Sequence, residues 1–433
     1  MKKITLLVLS LLLTVSLFAC QNQSDKNKYK PDTWDGSVAE AFEGGEGTEE
    51  SPYLIASGAQ LAYLAKSVND GTSYENKYIS LLCDIDLNNI EWTPIGNGVL
   101  DLDPYKYHSF DGNFDGNGHT IKNLYMSDAI DVEYTNDDYY PIRGFTGLFG
   151  MCRNVNLQNL NISNASITVK SPRKYNHLYS GIVVGIIGSS TQSSISNVNV
   201  SDSKITLLNI KTEEKQYGGG ASIGGIIGRN DVGEGAQTKI SHIQSDLKIS
   251  CAIGSRSISF GGIIGIILNS GKFECNNFAS YLSCEILSKD TSEHLSGAIG
   301  YIQNSKDSLK ISNGFSNVKT NLAPATQHPN AAIQFTYSPN AIAGEIIFPK
   351  LNNTTQSIEF NNLFGCVSPL SSDSEFTEPM LNLYSLGSLP ENAEYIENNC
   401  KGVVSLPDNH GFDSEIWNLD DLSNPALKFS TNK

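Results

Sequence analysis

Asp111, Asn113, Asp115 and Asn117 occupy alternate positions in "SFDGNFDGNGHTIKNLYM", residues 109–126. Oxygen ligands at every second position with a glycine at the sharp turn are what a calcium loop requires. The twelfth position counted from Asp111 should then be a bidentate glutamate, and it is Lys122. Neither flank carries a helical apolar period, and "HTIKNLYM" alternates like a strand. Asp-Gly and Asn-Gly accept positive φ, so Asp111-Gly112, Asp115-Gly116 and Asn117-Gly118 read as tight turns between short strands. A weak surface calcium site on Asp111, Asp115 and Asn117 is the rival reading; no metal site is expected.

Other chemistry is sparse. The seven histidines include no HExxH pair, which excludes zinc proteases of that class. "YGGGASIGGIIG" follows no βαβ pattern and has no P-loop lysine, so no nucleotide or other cofactor is expected. Carboxylates are plentiful, as at Asp84 and Asp86 in "CDIDL", but there they share one strand face opposite Ile85 and Leu87 and read as a solvated outer surface. No catalytic residue is assigned.

The chain opens with "MKKITLLVLSLLLTVSLFAC": two lysines, an apolar run, Ala19 and Cys20. This order predicts a secretory signal peptide over residues 1–19. "LFAC" resembles a bacterial lipobox, with Phe18 bulkier than usual, so Cys20 is the expected lipidation site and the lipid the expected link to the membrane. Residues 20–33 are polar and suit a flexible tether. Without residues 1–19 the chain carries 28 basic and 46 acidic side chains, a balance of −18. Such a surface repels nucleic acid. Seven cysteines follow Cys20; most lie in apolar strand-like runs and read as small core residues, and Cys275 with Cys284 is the pair to test for a disulfide.

The elements come from a repeat. Glycine-bracketed aliphatic runs end at Gly150, Gly188, Gly228, Gly265 and Gly300, with a degenerate "AGEIIF" near Gly344; the spacings are 38, 40, 37, 35 and 44 residues. Each is followed by a signature such as "LQNLNI", "ISNVNV" or "ISHIQS", then by a third alternating run such as "SKITLL". Three short strands per unit cannot bury their apolar face alone, so successive units must stack as a parallel solenoid. Asn159, Asn197 and Asn313 fall where the alternation breaks and are expected to take left-handed backbone, stacked as a hydrogen-bonded ladder that His242 weakens. A β-propeller has blades of similar length, but Trp34, Trp92 and Trp417 all lie outside the repeats, which favours the solenoid.

In "SGAQLAYLAKSVNDG", Leu61, Leu64, Ala65 and Val68 share one helical face between the N-cap Ser57 and Gly71, giving a short capping helix. At the other end Phe412, Ile416, Trp417, Leu419 and Leu427 offer a closing layer. The expected organisation is an N-terminal cap and first coils over 34–146, repeat coils over 147–345, and degenerate last coils with a C-terminal cap over 346–433.

"SPYLIASGAQLAYLAKSVNDG…YISLLCDIDL…EWTPIG…FDGNFDGNGHTIKNLYM…GLFG" resembles the leading segment of secreted bacterial proteins with GLUG-type repeats, and the "GGIIG…ISN" units resemble the repeats themselves. The resemblance spans roughly residues 34–345 and the "W…NPALKF" ending. It implies an all-β, right-handed parallel β-helix of the pectin-lyase type, found on adhesin-like surface lipoproteins of Bacteroides-type anaerobes, whose motif carries no catalytic residues of its own.

A solenoid returns equivalent connections to one side, so the variable segments 127–146, 170–180, 209–222, 250–259, 287–296 and 319–342 should share one edge. Tyr139, Tyr140, Arg143, Tyr175, His177, Tyr179 and Tyr217 gather there. Tyrosine can stack on a sugar face while bonding its hydroxyls, so these are candidate ligand-binding residues, with Tyr139, Tyr140, Tyr175 and Tyr179 expected to be exposed neighbours. The reading is an envelope lipoprotein, anchored in the outer membrane, that binds glycans or host and extracellular matrix proteins without catalysis. The alternatives are a polysaccharide lyase or glycoside hydrolase on the same fold, and a structural spacer.

Overall fold

The computed structural model describes residues 29–96, 108–127, 143–170, 177–208, 220–252, 258–287, 293–304, 308–321, 343–347, 358–370, 412–422 and 425–428. Cys20 lies outside them, as do Tyr139, Tyr140, Tyr175 and Tyr217. The end of the expected tether is not a free linker: Asp32–Thr33 pair in parallel with Ile85–Asp86, and the Asp32 carboxylate accepts from the Gly58 N–H at the start of the helix.

The chain winds as a parallel β-helix. Each coil runs through three sheets whose strands pair in parallel with the coils before and after. The first sheet holds Arg143–Thr146, His177–Gly181, Ala221–Gly224, Ile258–Gly261 and Glu293–Ser296. The second holds Phe149–Arg153, Val184–Ser189, Ile227–Val232, Ile264–Asn269, Ile299–Asn304 and Ala343–Ile347. The third is built on Asn156–Ser163, Gln192–Leu208, Gln237–Cys251, Lys272–Ile286, Leu309–Thr320 and Ile358–Pro369, extended on the N-terminal side by short strands. We number the coils 1 to 6 in this order.

Alternation puts one residue in two inside, and like stacks on like. Leu157, Ile195, Ile240, Cys275 and Ile311 form one register column, and Val184, Ile227, Ile264 and Ile299 another. All are almost fully buried, and each aliphatic contributes about 2 kcal/mol by leaving water. Cys275 and Cys284 are buried in this core and are not joined, so the suggested disulfide does not form. Each stacks on its register partners, Ile240 and Ile311 for Cys275 and Ile249 and Thr320 for Cys284. Burial raises the Cys275 thiol to about 12, so it stays protonated.

The asparagine corners take left-handed backbone, with φ of 53° at Asn159, 55° at Asn197, 56° at His242, 50° at Asn277 and 52° at Asn313. Asn197 Nδ2 donates to Asn159 Oδ1 (2.7 Å), and Asn159 Nδ2 donates to Asp115 Oδ1 (3.0 Å). A second ladder, which the sequence reading missed, runs from Asn164 through Asn123 to Asp86. Both end on a carboxylate that can only accept, which aligns every amide the same way. Asp115 also accepts from the Asn117 backbone N–H and from Gln158 Nε2, so the carboxylate at the heart of the calcium-like stretch is occupied by amide donors. The turn at Asn117-Gly118 has φ of 51° and 77°, as the dipeptide predicts. From coil 3 onward the second corner disappears: the register shifts by one residue between Val200 and Ser203, and Ile243, Ser245, Leu247 and Ile249 alternate inward without a break.

The helix Gly58–Asn69 packs Leu61, Leu64, Ala65 and Val68 onto the first turns, and Ser57 Oγ caps it by accepting from Gln60 N–H (3.3 Å). The C-terminal segment behaves differently from the expected closing layer. Trp417–Asn418 and Ala426–Leu427 form an antiparallel ribbon. Phe412, Trp417 and Leu427 pack with Ala279 and Phe315, which sit one residue beyond the inward positions 278 and 314 and face outward. Tyr281 Oη donates to Pro425 O (2.5 Å), and Leu427 N–H donates to Gln244 Oε1 (3.1 Å). The ribbon thus straps the flank of coils 3 to 5, while coil 6 continues past it in register. An apolar segment can cover any apolar patch, and two outward residues in coils 4 and 5 supply one here.

An inward position of the second sheet interrupts its aliphatic column. Asn230 lies in register between Ile187 and Ile267, is fully buried, and neither amide atom has a hydrogen-bond partner. An unpaired buried amide costs about 1–3 kcal/mol. Asn230→Val should therefore raise stability by about that amount, seen as a higher urea midpoint at unchanged slope. A lower midpoint would show that the amide is satisfied.

Candidate functional site

The strand of the first sheet was missed in the sequence because the glycine runs look like strands themselves. In the structure Ile182 and Val183 are the bend between two strands, His177–Gly181 and Val184–Ser189. The variable segments thus end as strands, recognisable afterwards as "HLYSG", "ASIG" and "ISFG".

That bend turns the outward faces of the first and second sheets toward each other. Leu178 points into the core while its neighbour Tyr179 joins Phe145, Met151 and Ile186 in a separate buried cluster on the outer side. The approach is close enough that a Cβ on Gly185 would lie 3.0 Å from Tyr179 O and 3.1 Å from Thr146 N. Only glycine fits such a crossing of two backbones.

This outer elbow carries two facing columns. Phe145, Tyr179, Ser222, Ser259 and His294 follow one another along the first sheet, and Met151, Ile186, Arg229, Ile266 and Tyr301 along the second. Phe145 stacks on Tyr179 at 6.0 Å, and the exposed His177 ring lies parallel to Tyr179 at 6.3 Å and 8°. The Arg229 guanidinium carbon sits 4.8 Å from the Tyr179 ring centroid, and its Nη1 donates to Tyr179 Oη (2.6 Å). Arg229 Nε donates to Asp231 Oδ1 (2.7 Å). Burial works against the Arg229 charge, but Asp231 and Tyr179 outweigh it and hold the group above its ordinary pKa. In coil 5 His294 and Tyr301 meet at 5.2 Å.

Of the predicted site residues, the structure brings together Arg143, His177 and Tyr179. Arg143 and His177 are register partners at the start of their strands. Tyr179 corrects the expectation of an exposed ring: it is 2% exposed, because an outward side chain at the elbow is covered by the facing sheet. Arg229, Asp231 and Phe145 were not anticipated; a charge breaking the aliphatic run in "GGIIGRND" is the signal that could have pointed to the first two. Among the described residues no group of three or more His, Cys, Asp or Glu is placed to hold a metal ion, and no helix is long and apolar enough to cross a membrane.

No protein-family model matches the chain. A protein of Evansella cellulosilytica named "Putative Gly-rich membrane protein" is 30% identical over 117 residues, which is 27% of this chain and 12% of that protein. Halomucin of Haloquadratum walsbyi is 34% identical over 141 residues, 30% of this chain and 1% of that one. The chain thus matches only a small part of two much longer relatives. Among solved structures it is similar to a Bacteroides ovatus protein titled "putative immunoglobulin A1 protease", at 18% identity and a TM-score of 0.49, over 90% of this chain and 96% of that one. The parallel β-helix rests on the strand register itself.

Proposed function

We propose that this protein is an envelope lipoprotein of the GLUG-repeat kind, held in the outer membrane by lipid on Cys20, that binds glycans or extracellular matrix proteins without catalysis. The supporting observation is the outer elbow of coils 1 to 3, where the exposed His177 ring, the Tyr179 ring beneath it and Arg229 are fixed on adjacent strands. Sites built on strands hold their groups in place better than sites on loops, and the exposed His177 ring, backed by the buried Tyr179, offers a flat face on which a sugar can stack. The names of the two relatives, a membrane protein and a halomucin, fit a surface or membrane-associated setting.

The lyase or hydrolase reading draws on one contact, the Arg229 guanidinium donating to the Tyr179 hydroxyl, a basic group beside a charge-stabilising partner. Burial of Tyr179 keeps that oxygen from a polymer substrate. The test is an array of plant and host glycans and matrix proteins probed with the full chain from a membrane fraction, with release of sugar ends measured in the same wells. Binding without release is expected. Release of sugar ends would favour the enzyme, and no binding to any ligand would sink the binding module.

A further inference from the structure

The chain carries a formal net charge of −16, yet its arginines are confined to one stretch of the sequence. All five, Arg143, Arg153, Arg173, Arg229 and Arg256, fall between residues 143 and 256, although lysines are spread along the whole sequence. Three of them stand on the strands that form the elbow. In coils 1 to 4 those eight strands hold Arg143, Arg153, Arg229 and Asp231 as their only formally charged residues, and no lysine. An acidic protein thus gathers arginine without lysine on these strands, the residue whose planar fork matches carboxylate and sulfate oxygens; Asp231 pairs with Arg229 and the Asp111 carboxylate lies near Arg153.

The register arranges these groups along the axis. Arg143 pairs with the exposed His177 in the next coil. Arg153, exposed at the end of its strand, shares a column with Gly188 and Asp231, so no side chain intervenes in coil 2. Arg229 aligns through Ile186 with Met151, so Arg153 stands two coils before it and two residues further along the strand. Asp231 and Tyr179 take Nε and Nη1 of Arg229, which fixes the plane of the fork; Nη2 is the nitrogen neither of them takes. A polyanion running along the axis would meet Arg153 in coil 1 and the Nη2 edge of Arg229 in coil 3, and repulsion from the acidic remainder of the surface.

We infer that the outer elbow of coils 1 to 3 recognises an acidic polysaccharide through its carboxylate or sulfate groups, an inference that rests on the binding-module reading and specifies its ligand.

The test titrates the full chain in mild detergent against heparin, polygalacturonate and neutral dextran. At least one of the two polyanions should bind, more weakly as salt rises, and dextran should bind far more weakly. Arg153→Gln combined with Arg229→Gln should weaken polyanion binding roughly tenfold or more. Arg153→Gln alone should weaken it less but measurably; that side chain is exposed, and an unchanged circular dichroism spectrum and urea midpoint separate its effect from misfolding. Lys248→Gln, the same charge change on an exposed residue of the third sheet, should leave binding essentially unchanged. Equal losses from the Lys248 and arginine variants would overturn the inference, as would arginine variants that bind like the parent. Binding of dextran alone would also overturn it while leaving the binding module standing; failure of every glycan and matrix protein, here and on the array, would remove both.

Discussion

Alanine at Gly262 is expected to destabilise the solenoid by about 3 kcal/mol or more, because the added methyl has nowhere to go. A Cβ there would lie 1.9 Å from Ser280 Oγ and 2.2 Å from Gly297 O. The second contact is backbone of the next coil and cannot rotate away. The site repeats: Gly225 faces Ser245 in the coil before, and Ser245, Ser280 and Ser316 form a buried register column opposite the glycines. Ser280 Oγ donates to Gly297 O, so the serine satisfies a carbonyl that the missing side chains leave bare. Urea unfolding followed by circular dichroism measures the loss. Adding Ser280→Gly should recover only part of it, since Gly297 O remains in the way. Gly235→Ala is the comparison: its Cβ meets nothing within 4 Å, and only its φ of +76° penalises a side chain, by about 1 kcal/mol. Gly262→Ala costing no more than Gly235→Ala would mean that adjacent coils can slide apart freely, against the close packing described above.

The corner at Asn159 yields the second large effect, and two substitutions separate its causes. Asn159→Gly keeps a residue that accepts φ of 53° but removes the bonds to Asp115 and from Asn197, a loss of about 1–2 kcal/mol. Asn159→Val removes the same bonds and adds the strain of a β-branched residue in left-handed backbone, about 1–2 kcal/mol more. The valine variant should therefore show the lower thermal midpoint of the two. Equal midpoints would show that backbone conformation contributes nothing at the corner and that the ladder alone holds it.

Much of this architecture was legible in the residues. Alternating aliphatics in "ISNVNV" and "SKITLL", repeated about every 40 residues, fix parallel stacking because each unit has one apolar face and only its neighbours to cover it. The asparagines at 159, 197 and 313 mark corners because few other residues accept their backbone angles, and the looser "FECNNFAS" obeys the same rule at Asn277. The capping helix follows from Ser57 and the spacing of Leu61, Leu64, Ala65 and Val68. All of these are local properties, carried by a period of two or of 3.6 or by a single φ.

What the tertiary structure decided is which outward-facing residues remain at the surface. Tyr179 and His177 stand two apart on one strand and share a face, yet the first is buried and the second exposed. Alternation separates inside from outside, but it carries no information about the angle at which two outer faces meet. That angle comes from the bend at Ile182 and Val183 and from glycine at position 185, which lets the backbone of Tyr179 and, from the coil before, of Thr146 approach across the elbow. The C-terminal strap has the same origin. Trp417 and Leu427 need apolar cover, and only the outward turn of Ala279 and Phe315 in the finished helix determines that they find it on the flank.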